Sequence, residues 1–142
     1  MESSADGDVV IAKLDDGDDL FASLDALAAK HRIPNGMVMW GIGMLGPFEI
    51  GYFNGKEYDR TTYAEPMELL ALHGSYAAKA DPRIHVHVAA AGKDHRVVGG
   101  HLFRATVAVL NELCIRKLGR SELSRVHNPR SGLKELRILP MD

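Results

Sequence analysis

Residues 84–91 read Ile84-His85-Val86-His87-Val88-Ala89-Ala90-Ala91. In an extended strand, side chains two apart share a face. The alternation therefore turns Ile84, Val86 and Val88 toward a core and sets His85 and His87 together on the opposite face. A period of two marks a strand, not a helix.

Working outward, the same reading gives a mostly β-sheet chain. Met67 to Ala77 forms a strand before this one, joined to it by a turn at Ala80-Asp81-Pro82. Phe48 to Phe53 and Glu57 to Tyr63 flank Asn54-Gly55, the dipeptide that best signals a tight hairpin. Residues 37–45 read as a largely buried strand, residues 8–14 as a first strand and residues 97–98 as a short one. Residues 107–118 continue apolar, and a last hairpin pairs 123–126 with 136–139. Leu20, Phe21, Leu24, Leu27 and Ala28 instead recur at helical spacing, with acids at Asp18 and Asp19 and cations at Lys30 and Arg32. The spacing predicts one helix over about 18–31, stopped by Pro34. The expectation is a single α+β domain over 1–142, a mostly antiparallel sheet packed with one or two helices.

Composition sets outer limits. With 142 residues, 46% of them hydrophobic, the chain is long enough to bury a core. The acidic start, Met1 to Asp6, does not read as a secretory signal, and no run reaches the length of a membrane span. Cys114 stands alone among apolar neighbours, which predicts a buried thiol and a cytoplasmic protein. Charge is uneven. Residues 1–30 hold eight acids against Lys13 and Lys30, whereas residues 116–137 hold seven cations against Glu122 and Glu135. A basic segment of this kind suits nucleic acid, a solvated face or a subunit contact.

The histidines carry the chemistry. His85 and His87 are two nitrogen donors on one face, and His101, after Gly99-Gly100, reads as a third delivered from a glycine turn. Zinc accepts three such ligands and keeps a fourth position open. Spacing alone leaves a second reading, that these are solvated histidines on a sheet surface. A cupin strand would place Glu four or five residues after His87, where this chain has Ala91 and Gly92. Gly41-Ile42-Gly43-Met44-Leu45-Gly46 matches the dinucleotide pattern in letters only, because Pro47-Phe48-Glu49-Ile50 continues as strand where a helix is required. Those glycines are expected at a bulge or a close backbone approach. Glu68 should share a strand face with Leu70 and Leu72, and an acid so placed is either paired or functional.

The order Glu68-Leu69-Leu70-Ala71-Leu72-His73-Gly74-Ser75, then His85-Val86-His87-Val88, then Val97-Val98-Gly99-Gly100-His101-Leu102 resembles the plants and prokaryotes conserved (PPC) domain over roughly 8–139. The resemblance implies an antiparallel sheet with helices, assembled as a homotrimer. It also implies zinc held by His85, His87 and His101, as in some prokaryotic stand-alone members. Plant members add an Arg-Gly-Arg-Pro hook for the DNA minor groove, a motif this sequence lacks, and show Arg-Phe-Glu where Pro66-Met67-Glu68 stands here. Three functions follow as expectations. The first is a binding or regulatory module, with DNA as a partner of segment 116–137. The second is a structural metal site. The third is a zinc-dependent hydrolase or lyase using metal-bound water, with Glu68 or Glu65 as general base.

Overall fold

A computed structural model describes residues 1–140. In chain order the elements are β1 (Glu2–Asp6), β2 (Val9–Asp15), α1 (Leu20–Lys30), β3 (Asn35–Phe53), β4 (Tyr58–Tyr63), β5 (Met67–Ala77), β6 (Ile84–Ala91), β7 (Val97–Lys117), β8 (Ser121–His127) and β9 (Lys134–Pro140). Seven strands form one antiparallel sheet in the order β1-β2-β7-β6-β5-β3-β4. Because β3 also pairs with β7, the run β7-β6-β5-β3 closes on itself. β8 and β9 make a separate hairpin.

Helix α1 starts where a cap is available. Asp19 accepts a hydrogen bond from the Ala22 amide at 2.8 Å, and the chain leaves the helix at His31. Its buried stripe of Leu20, Leu24, Leu27 and Ala28 joins Leu14, Val86, Leu102, Leu113 and Ile115 in the core. Each such leucine contributes about 1.5–3 kcal/mol by leaving water. This is the sole helix among the described residues, so the sheet is covered by one helix.

The structure changes four expectations about the strands. β3 is one strand through Gly46-Pro47, kept continuous by register shifts, including one between Gly43 and Met44. Gly43 lies at φ +133°, and a Cβ there would meet the Leu110 carbonyl oxygen at 2.2 Å. These glycines thus serve a bulge and a close approach.

The expected short strand at 97–98 is the beginning of β7, which runs for 21 residues. Gly99 and Gly100 resemble a turn in sequence, yet both sit in the ladder. Added Cβ atoms would lie 2.7 Å from the Val88 and Gly51 carbonyl oxygens respectively, so neighbouring backbones require glycine there.

A register shift between Leu69 and Ala71 restarts the alternation of β5. Leu72 consequently enters the core at 0% exposure, while Glu68 and Leu70 stay exposed. Glu68 is therefore not an acid on a buried apolar face. The fourth change is β1, an edge strand that turns back through Gly7 at φ +57° and pairs with β2.

Candidate metal centre

Strand β6 performs the sorting its alternation predicts. Ile84, Val86 and Val88 are buried, and His85 and His87 face the other way. His101 reaches them from β7, where it pairs in register directly with His87. Directly paired residues hold their Cβ atoms about 4.5–5.5 Å apart on one face. The third histidine is thus brought in by a strand ladder, not by a glycine turn.

The three rings converge. Their centroids are 5.2 Å (His85–His87), 4.9 Å (His85–His101) and 5.4 Å (His87–His101) apart. One ring nitrogen from each lies within 4.8 Å of the others. The Nε2 atoms of His85 and His87 are 3.2 Å apart. Two nitrogens bound to zinc at about 2.0–2.1 Å with a tetrahedral angle between them would be about 3.3 Å apart. His101 Nδ1 is buried and has no hydrogen-bond partner. A metal ion suits this spacing, and one held through His101 Nδ1 would satisfy that atom. The chemistry of the donors agrees: three neutral imidazoles leave a divalent ion its full charge and one open position.

The surroundings disfavour a proton on two of the rings. Burial, then the charge of Arg125, then His87 hold His85 below its ordinary value. Burial holds His101 down to about 4, helped by His85, His87, Arg60 and Arg125. A neutral imidazole is the ligating form. The wall around His101 is aromatic, with Tyr58 at 5.0 Å and Phe103 at 4.5 Å between ring centroids. Arg60 lies over the Phe103 ring at 3.7 Å.

Arg125 is the residue that motif reading missed. From β8 it donates to the Pro82 carbonyl at 3.0 Å and the Ser75 hydroxyl at 2.9 Å. Its third nitrogen, Nη1, stands 3.4 Å from His85 Nδ1. The signal was present in the alternation of β8, because Arg125 falls two residues after the buried Leu123. A cation on an inward face calls for a partner.

The remaining candidates lie elsewhere. Glu68 pairs in register with Ala91, four positions along β6 from His87, a separation of about 13 Å at strand rise. Glu65 is exposed in the segment before β5. His73 pairs in register with His87 but is exposed and outside the cluster. Cys114 is buried as expected, which pushes its thiol up from the ordinary value. Within the basic segment, Arg125 turns to the histidines and Lys134 pairs with Asp81, while Arg116, Arg120, Arg130 and Arg137 remain exposed.

An antiparallel sheet closed on itself, with one helix and three histidines gathered on two adjacent strands, defines a small domain class. The model for the Plants and Prokaryotes Conserved domain matches residues 1–119, and the chain belongs to that family. No curated protein matches it significantly. Among solved structures, a candidate DNA-binding protein from Bacteroides thetaiotaomicron superposes with a TM-score of 0.85 at 25% identity, covering 96% of each chain. A metal-containing protein from Archaeoglobus fulgidus gives 0.78 at 28% identity, over 96% of this chain and 94% of that one. A plant- and prokaryote-conserved protein from Pyrococcus horikoshii gives 0.79 at 24% identity, over 99% and 96%, a likeness of fold. No helix among the described residues is long and apolar enough to cross a membrane.

Proposed function

We propose that this protein is a cytoplasmic, homotrimeric binding or regulatory module whose His85, His87 and His101 hold one zinc ion. The observation that carries the reading is the 3.2 Å separation of the His85 and His87 Nε2 atoms beside the unsatisfied Nδ1 of His101. The metal-containing relative from Archaeoglobus, at 28% identity, supports it. A module is favoured over a hydrolase or lyase because a general base must come within hydrogen-bond reach of its proton, and Glu68 is about 13 Å away along the strands.

The trimer is supported by apolar side chains left in solvent. Met37, Met39, Trp40 and Ile42 on β3 and Ile11 on β2 are all at least 36% exposed, more than a lone small domain usually leaves together. DNA is a partner of this reading through Arg116, Arg120, Arg130 and Arg137, supported by the Bacteroides relative.

Elemental analysis of protein purified without a polyhistidine tag tests the metal. One zinc per chain is expected, and none in His87→Ala. A metal-free wild type, or an unchanged content in the variant, overturns the site. Light scattering should give three times the 15.5 kDa chain mass. DNA affinity should fall steeply as salt rises, and an absence of binding in dilute salt removes DNA from the proposal.

A further inference from the structure

A metal-bound histidine ordinarily donates its far N–H to a carboxylate or a carbonyl, which fixes its tautomer. This chain puts a guanidinium in that place. The 3.2 Å approach to His87 marks Nε2 of His85 as the ligating atom. Without a metal, Nδ1 accepts from Arg125 Nη1 across 3.4 Å; with a metal on Nε2, Nδ1 would instead carry the proton and face that nitrogen as a second donor. Two donors pointing at each other make no hydrogen bond. An anionic oxygen accepting from both resolves the conflict.

Arg125 is built for such a ligand. Its other nitrogens are pinned by Pro82 and Ser75, so the fork is oriented before anything binds. It is half-buried, and among the described residues no carboxylate pairs with it. Arg60, the other cation near the rings, has a carboxylate partner in Glu49 at 3.2 Å, which it shares with Arg104. A half-buried unpaired cation next to a divalent ion with neutral ligands is a concentration of positive charge that an anion relieves.

We propose that the centre binds a small oxyanion, a carboxylate or phosphate group, with Arg125 as its specificity-determining residue. This rests on the metal reading above and adds the chemical class of the ligand.

The test uses the full chain loaded with cobalt(II), whose visible absorption reports its coordination, titrated with acetate and with methylphosphonate. Saturable spectral shifts are expected with these anions and none with neutral acetamide; whichever anion saturates at lower concentration names the group. Arg125→Gln should weaken the response at least about tenfold, the range for one charge-assisted hydrogen bond. Arg125→Lys, which keeps the charge without the fork, should fall between, and it carries the comparison should the glutamine variant not fold. Equal anion affinity in wild type and either folded variant, or an equal response to acetamide, overturns the anion site and leaves the metal site standing. A wild type that takes up no cobalt overturns both.

Discussion

Gly74 is where the sheet and the histidine centre can be tested together. It pairs in register with Val86, between the two histidines of β6. A Cβ added there would lie 2.0 Å from the His85 carbonyl oxygen and 2.7 Å from the Val86 Cα. Both are backbone atoms, so no rotamer change relieves the overlap. Ordinary contact needs about 3.4 Å or more, so Gly74→Ala must push β5 and β6 apart by over an ångström. Losing about two ladder hydrogen bonds at ~1 kcal/mol each, together with ~1–3 kcal/mol of overpacking, gives a cost of about 3–5 kcal/mol. That is a large share of a stability of about 5–15 kcal/mol. Thermal unfolding followed by circular dichroism should show Tm lower by on the order of 10 °C or more. Zinc affinity should fall as well, because the displaced strand carries both His85 and His87. Gly119→Ala, where nothing lies within 4 Å of the new Cβ, is the control and should change little. If the Gly74 variant melted and bound zinc as the wild type does, the close approach of β5 to β6 would be refuted.

Three further outcomes follow. His101 is held down to about 4 from an ordinary 6.5, so between those values the unfolded ring takes a proton that the folded ring refuses. In metal-free protein the contribution of this ring should accordingly be constant above pH 6.5 and be lost as pH falls toward 4, by about 1–2 kcal/mol once the half-exposed ring is discounted for screening; urea unfolding of wild type and His101→Asn should show a smaller acid loss in the variant. Leu72→Ala, at a side chain with 0% exposure, should cost about 2–5 kcal/mol in the same assay, whereas a surface-like cost would mean the β5 bulge does not turn Leu72 inward. Cys114 should resist alkylation in the native state and react on unfolding, since burial raises its thiol; rapid native labelling would contradict that burial.

Local pattern was enough for β6, for the helix and for both hairpins, because each rests on a period or a turn dipeptide that neighbouring residues impose. The final hairpin shows how far this reaches: Leu123 pairs with Ile138 inside the expected segments, whereas Val126 pairs with Glu135, one residue before the expected second strand. The pair His85 and His87 was equally legible, for two residues apart on one strand have no other arrangement. What local pattern could not supply was anything set by an atom far along the chain. Gly99 and Gly100 are strand residues because the Val88 and Gly51 carbonyls crowd them, and those contacts exist only after folding. Leu72 is inward because a bulge two residues earlier restarts the count.

The chain's own order of residues therefore determined which side chains would stand on each face, and with them two of the three imidazoles. Tertiary structure decided that His101 should lie opposite His87, that Glu68 should lie well away, and that Arg125 should point its guanidinium at His85. The physical reason is range. Alternation is enforced by bonds within a few residues, whereas a three-ring cluster depends on the register between strands, which packing of the whole sheet selects.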